Sequence, residues 1–404
     1  MSLFLPRSVK IRAGDHGMWR DCNISLENTR LIYSRGENRR NFIDINDKTV
    51  IQEVKFGKFD GIMILDNDIP YYLVSERDDT REILYNALIK LPEAQNEVCF
   101  EDFELLSIIG EGFYGNVYLA SKKETGNKYA LKVIQKSRLL EQGRAQMAYL
   151  ERNVLISLHH PFIVTLEFSF QTQSCLVFGL EYVSGGDLFR HVHNHEKMKL
   201  SHIKFYIAEI ACALHYLHSK HIIYRDLKLE NVLIDRDGHI KLTDFGLSKW
   251  ILSTTTTTFC GTTEYLSPEI ISSSEYGQEV DWWSLGIMIY EIVFRKTPFY
   301  DKNRNTIFKN IRTRAPFFPK RTNPQLVDLI MGLLNKNHEN RYGYEQIVNH
   351  SFMAGIEWNE VVSKKLKPPI VPSKPELRKR SVSCDIDSPE MQGFDFEGFT
   401  FNAN

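Results

Sequence analysis

Between Tyr224 and Gly246 the chain gathers polar residues that could move a phosphoryl group. The run Tyr224-Arg225-Asp226-Leu227-Lys228-Leu229-Glu230-Asn231 is followed, thirteen residues after Asn231, by Asp244-Phe245-Gly246. Phosphoryl transfer to a hydroxyl needs a carboxylate that orients the hydroxyl and accepts its proton, which Asp226 can supply. It needs a cation beside the transferred phosphate, for which Lys228 is the nearest ammonium. It also needs hard oxygen ligands for magnesium, and Asn231 and Asp244 are of that type. The spacing puts all four on two neighbouring loops.

Two upstream features extend the set. Gly110-Glu111-Gly112-Phe113-Tyr114-Gly115 lies between strand-like runs, and glycines there let backbone amides approach phosphates with no Cβ in the way. A plain hairpin or a dinucleotide-binding turn would explain this loop equally well by itself. A dinucleotide turn, however, calls for a helix straight after the glycines, and Val117-Tyr118-Leu119-Ala120 has strand character. Lys132 follows in the apolar run Ala130-Leu131-Lys132, and Glu151 comes nineteen residues later on a predicted helix over 144–157. Alone, a strand lysine is an edge charge; with Glu151 it can hold the α- and β-phosphates of a nucleotide. Downstream, Ser267-Pro268-Glu269, Asp281-Trp282-Trp283-Ser284-Leu285-Gly286 and Arg341 complete the order found in protein kinases, with Glu269 and Arg341 expected to form a buried ion pair.

The chain resembles the AGC family of Ser/Thr protein kinases, most nearly the protein kinase B and serum- and glucocorticoid-regulated groups. Tyr224 before Arg-Asp, Thr258-Phe259-Cys260-Gly261-Thr262, Val280 to Gly286, and the tail run Phe396-Glu397-Gly398-Phe399-Thr400-Phe401 carry the likeness. The resemblance covers about residues 103–404. It implies that ATP binds against Ile109, Gly110, Glu111, Gly112, Phe113, Tyr114, Gly115, Asn116, Val117, Ala130 and Lys132, with backbone of Glu181 and Val183 at the adenine and Leu180 behind it. It implies Asp226 as base, Lys228 at the γ-phosphate, Mg2+ on Asn231 and Asp244, and a hydrophobic stack of Leu155, Leu166, Tyr224 and Phe245. Asp187, Glu230 and Glu291 would receive basic side chains N-terminal to the phosphoacceptor, arginine above lysine because its fork pairs both carboxylate oxygens. Thr258 and Thr400 would be phosphorylation sites, the first modified by an upstream kinase, its phosphate met by Arg225 and Lys249.

The sequence departs from the family at Thr263 (usually proline), Ser267 (usually alanine) and Met147, where relatives place a histidine that contacts the activation-loop phosphate. It also lacks the acidic-aromatic tail segment that reaches the adenosine pocket. Two rival readings remain: a non-catalytic scaffold, which normally requires loss of a residue such as Lys132, Asp226 or Asp244, and a tyrosine kinase, against which Lys228 argues.

The elements that must position these residues follow from periodicity. From Phe103 the chain reads as a small strand-rich lobe, then a larger helix-rich lobe, ending near Phe352. The predicted fold class is α+β: a bilobal protein kinase fold over 103–352, preceded by a small β-rich domain over 1–95 and followed by a tail over 353–404. In the front domain, short alternating runs are closed by a predicted helix in which Leu84, Leu88 and Leu91 share a face after an Asp78 cap, with Pro92 ending it. Its strand pattern and Trp19-Arg20 resemble a pleckstrin-homology domain. That likeness offers phosphoinositide binding through Lys10, Arg12 and Arg20, or a protein-binding or autoinhibitory module instead. The tail carries Pro368, Pro369, Pro372, Pro375 and Arg378-Lys379-Arg380, then Phe394, Phe396, Phe399 and Phe401, which are too apolar to stay in water.

A net charge of -1 supplies no general attraction to nucleic acid. Six scattered cysteines read as thiols of a reducing compartment, no run suits a signal peptide or a membrane span, and the expectation is a cytoplasmic protein with protein substrates, recruited to membranes only if the front domain binds lipid.

Overall fold

The computed structural model describes residues 98–372 apart from 113, 195–196, 251–255 and 257, the strands and their flanks within 2–75, positions 81, 84, 85 and 88, and residues 396 and 399–402. Of the residues named above, Asp78, Leu91, Pro92, Phe113, Pro375, Arg378 to Arg380, Phe394, Glu397 and Gly398 lie outside the described ones. The chain divides into two compact units, Met1–Phe100 with Phe396–Asn404, and Glu101–Asp395.

The front unit is an eight-stranded antiparallel sheet. Its strands are β1 (Ser2–Phe4), β2 (Val9–Ala13), β3 (Arg20–Glu27), β4 (Arg30–Ser34), β5 (Arg40–Asp44), β6 (Val50–Phe56), β7 (Phe59–Asp66) and β8 (Ile69–Ser75). The order is β5-β4-β3-β2-β8-β7-β6, with β1 beside β3. Alternation selects one face for burial: Val9, Ile11, Ile24, Leu26, Leu31, Ile62, Ile64 and Leu73 meet helical Leu84 and Leu88 in one core.

In the second unit, β9 (Phe103–Glu111), β10 (Gly115–Lys122), β11 (Lys128–Gln135), β12 (Leu166–Gln171) and β13 (Cys175–Glu181) are antiparallel, in the order β12-β13-β11-β10-β9. The helix Ala145–Ser157 buries Ala148, Glu151, Val154 and Leu155. The rest is mainly helical. Leu200–Ser219 and Glu279–Phe294 each bury thirteen residues, which fits the apolar runs at their centres. Arg341 forks onto Glu269 at 2.6 and 2.9 Å with both side chains buried, as expected. A short hairpin, Val232–Ile234 with Ile240–Leu242, carries the ends of the two candidate loops. Among the described residues no helix is long and apolar enough to cross a membrane.

Candidate active site

The glycine-rich segment is the turn between β9 and β10. Gly112 and Gly115 exchange backbone hydrogen bonds at 2.8 and 3.3 Å, and a Cβ on Gly115 would sit 1.9 Å from the Val133 carbonyl, so only glycine fits there. The Tyr114 carbonyl accepts the Gln135 N–H at 3.0 Å, and its hydroxyl accepts from Arg144 at 2.5 Å. Along β11 the register pairs Lys132 with Val117 and Ala130 with Leu119. Direct partners share a face and so do alternate residues, so Val117, Ala130 and Lys132 look the same way. Glu111 and Gly112 are exposed, as is Ile109, while Asn116 donates to the Tyr118 hydroxyl at 3.3 Å. Glu181 ends β13, with Val183 two residues on and Leu180 buried before it.

The Lys132 ammonium lies 2.6 Å from Glu151 and 3.1 Å from Asp244. Burial works against its charge, but the two carboxylates outweigh it and raise its pKa. Burial pushes Glu151 up, opposed by Lys132. Asp244, whose side chain is half-exposed, is held below its ordinary value chiefly by Lys132.

Asp226 is buried and fully engaged. Its Oδ2 accepts from Lys228 at 2.7 Å and from the Asn231 amide at 2.8 Å, and its Oδ1 accepts from Thr262 at 3.0 Å. Lys228 also donates to Thr262 at 3.1 Å. The hairpin explains how Asp244 reaches this cluster: Val232 pairs with Leu242, and one step further the Thr243 N–H donates to the Asn231 carbonyl at 3.0 Å. The Asn231 Nδ2 is spent on Asp226, both on its carboxylate and on its carbonyl at 2.9 Å, so its Oδ1 is the atom that could ligate a cation. Asn231 and half-exposed Asp244 are thus an oxygen donor pair that could hold a divalent metal ion. Among the described residues no cluster of three or more His, Cys, Asp or Glu forms a self-sufficient metal cage.

Other buried residues support the loop. Asp281, fully buried, accepts the Tyr224 N–H at 2.9 Å, the Arg225 N–H at 2.8 Å and His218 Nε2 at 2.8 Å. Arg225 and Asp244 both have left-handed backbones, φ 68 and 59, which cost energy for non-glycine residues and need such anchoring. Tyr224 and Phe245 are buried with ring centroids 5.1 Å apart, and Leu155 and Leu166 are buried too. The sequence had marked Asp281 only as part of a motif, and Thr262 only as part of the activation segment.

The three carboxylates expected to meet a basic substrate differ in setting. Glu230 is exposed in the turn Leu229–Asn231. Asp187 accepts the Arg190 N–H at 2.8 Å, capping the helix Leu188–Asn194, and pairs with the Arg190 guanidinium at 3.0 Å. Glu291 is buried, bonded by the Tyr265 hydroxyl and by His193 at 3.3 Å, and burial raises its pKa. In the activation segment Thr258 is exposed, its carbonyl accepting from Tyr276 at 2.6 Å; Arg225 reaches the same Tyr276 hydroxyl at 3.3 Å, and Lys249 donates to Thr256 at 2.8 Å. In the tail, Phe396 and Phe399 are buried with ring centroids 6.4 Å apart, and Thr400 is exposed.

The strand register divides the front-domain basic residues between two faces. Ile11 pairs with Arg20 and Lys10 with Asp21, so Arg20 lies on the face of buried Ile11, whereas Lys10 and Arg12 lie on the other. Arg12 stacks between Trp19 and Tyr72, 5.0 and 4.6 Å from the ring centroids.

Residues 103–353 match the family described as Protein kinase domain. The chain is 40% identical over 291 residues to the RAC-beta serine/threonine-protein kinase of Rattus norvegicus, an alignment covering 70% of this chain and 60% of that protein. It is 37% identical over 365 residues to the RAC family serine/threonine-protein kinase homolog of Dictyostelium discoideum, covering 82% and 81%. With the RAC serine/threonine-protein kinase of Drosophila melanogaster it shares 42% over 283 residues, 68% of this chain and 46% of that protein. The chain thus spans about 60% of the length of the rat relative. With the phosphate-loop hairpin, the Lys132–Glu151 pair and the Asp226 cluster assembled in one unit, the chain belongs to the protein kinase family.

Proposed function

We propose that the protein is a Ser/Thr protein kinase that transfers the γ-phosphate of ATP to serine or threonine hydroxyls, preferring substrates with basic residues before the acceptor. The observation that carries this is the Asp226 cluster, in which a buried carboxylate is joined to Lys228 at 2.7 Å and to Thr262 at 3.0 Å while Lys132 and Glu151 stay paired at 2.6 Å. Asp226 orients the substrate hydroxyl and takes its proton as the oxygen bonds to phosphorus and the bond to ADP breaks. Lys228 offsets charge on the moving phosphoryl group, and Lys132 holds the α- and β-phosphates. Magnesium on Asn231 and Asp244 would neutralise phosphate charge when bound. None of Lys132, Asp226 and Asp244 is replaced, which disfavours a non-catalytic scaffold.

Glu230 supports the basic preference most directly, being an exposed carboxylate one residue before Asn231. Thr258 is read as the phosphosite of an upstream kinase, near Arg225 and Lys249, and Thr400 as a second site in the tail. For the front domain, a protein-facing regulatory role fits better than a three-cation phosphoinositide grip, because the ladder separates Arg20 from Lys10 and Arg12. A peptide array phosphorylated by the full-length protein tests the central reading. Phosphorylation of serine and threonine peptides with upstream arginine is expected, and no transfer above an Asp226→Asn control would overturn it.

A further inference from the structure

Lys241 lies in the strand Ile240–Leu242, three residues before Asp244, and is buried. Its ammonium donates to Glu181 Oε1 at 2.6 Å and to the Ile163 carbonyl at 3.3 Å. The same Glu181 oxygen accepts the Thr165 N–H at 2.8 Å, and the Glu181 N–H donates to the Thr165 carbonyl at 3.0 Å. Backbone bonds tie the intervening segment to the hairpin strand as well: Leu242 N–H to the Phe162 carbonyl at 2.8 Å, and Val164 N–H to the Leu242 carbonyl at 3.0 Å. A lysine is seldom taken out of water without a partner, and this one spends its charge on the end of β13.

The location matters more than the pairing. On the reading above, a nucleotide would be held at two ends, by the backbone of Glu181 and Val183 at the adenine and by Asp244 at the phosphates. Glu181 and Lys241 are sixty residues apart in sequence. We propose that the Glu181–Lys241 ion pair is a positioning link that fixes the adenine-binding end of β13 against the strand carrying Asp244, and so sets nucleotide affinity rather than turnover. Lys241 is a positioning residue: it acts through Glu181 and the hairpin. Asp226 is held by Lys228, Asn231, Thr262 and the Asp281-held loop, and the Lys241 side chain bonds to none of these directly. Once nucleotide is bound, the chemical step should therefore survive loss of the link, whereas binding must first order the two ends.

The inference rests on the ATP-dependent reading above, and direct nucleotide binding separates the two. ADP binding with magnesium is measured by calorimetry, alongside ATP and peptide kinetics, for wild type, Lys241→Met, Glu181→Gln, the double variant and Lys241→Arg. Wild-type protein that binds no ADP overturns the kinase reading itself. Given wild-type binding, each single variant should weaken ADP and raise KM for ATP roughly ten-fold, the double variant should be no worse than either, and Lys241→Arg should recover most of the loss. For the Lys241 variants, peptide KM should not move and kcat should stay within about two-fold. If Lys241→Met does not fold, Lys241→Gln carries the same test. Unchanged ADP affinity in a folded variant, effects of the two substitutions that simply add, or a fall in kcat at constant KM would each overturn the link.

Discussion

Replacing Asp281 by asparagine should loosen the catalytic loop without touching a substrate-facing atom. The Asp281 carboxylate accepts three hydrogen bonds: Oδ1 takes the Arg225 N–H, and Oδ2 takes the Tyr224 N–H and His218 Nε2. An asparagine has one acceptor oxygen, so whichever way its amide turns, at least one buried backbone N–H meets an NH2 group. His218 can adapt by changing tautomer; a peptide N–H cannot. Leaving a buried donor unmet costs about 1–3 kcal/mol. At about 2–4 °C per kcal/mol for a domain of 150–250 residues, a thermal melt should fall by roughly 2–12 °C. The left-handed Arg225, adjacent to Asp226, would also lose part of what holds it. If about 1.4 kcal/mol of that cost falls on the transition state, kcat drops about ten-fold. Calorimetric melting and steady-state kinetics on the same preparation test this. An Asp281→Asn protein that melts within a degree of wild type and turns over at the same rate would refute the anchoring argument.

Lys132→Met and Asp226→Asn should each lower phosphotransfer by on the order of 10²-fold or more with the fold retained, checked by kinetics beside circular-dichroism melts. Burial alone would raise the Glu269 carboxyl, but the Arg341 fork outweighs it and holds it low. Its stabilisation is therefore full above the ordinary carboxylate pKa of about 4.3 and is lost as pH falls through the lower folded value. Glu269→Gln should remove about 3–5 kcal/mol at neutral pH and flatten the acid side of the stability curve, read by denaturant unfolding across pH. Removing residues 394–404 should sharply reduce activity toward a short peptide if the Thr400 run is regulatory as proposed, since burying one such ring is worth roughly 1.5–3 kcal/mol; full activity would leave the tail a recruitment segment only. In liposome sedimentation with phosphoinositide, the front domain should show little binding dependent on Arg20, and strong binding lost on Arg20→Ala with Lys10→Ala would restore the lipid reading.

What could be read from sequence was whatever chemistry sits within a few residues of chain. Asp226, Lys228 and Asn231 are close neighbours, and their mutual hydrogen bonds follow from one short loop. Lys132 and Glu151 were legible because an apolar strand and an amphipathic helix each present one charged residue inward. Contacts between distant segments were not. Nothing local to Asp281 announces that it will hold an N–H fifty-six residues away, and Glu181 read as a backbone contact gave no hint that its side chain meets Lys241. Burial was equally hidden: Glu291 was read as a carboxylate open to substrate side chains, yet it is buried and bonded by Tyr265 and His193. In the front domain the basic residues were visible but their faces were not, because the pairing of Ile11 with Arg20 is set by the connection between β2 and β3, and a shift of one residue exchanges faces.

The most direct test of the proposed function compares one arginine-containing peptide made with serine, threonine or tyrosine as acceptor, incubated with ATP, magnesium and either wild-type or Asp226→Asn protein. Label transfer to the serine and threonine peptides by wild type, absent from the tyrosine peptide and nearly abolished by Asp226→Asn, is the predicted result. Transfer confined to tyrosine, or equal transfer by wild type and variant, would contradict it.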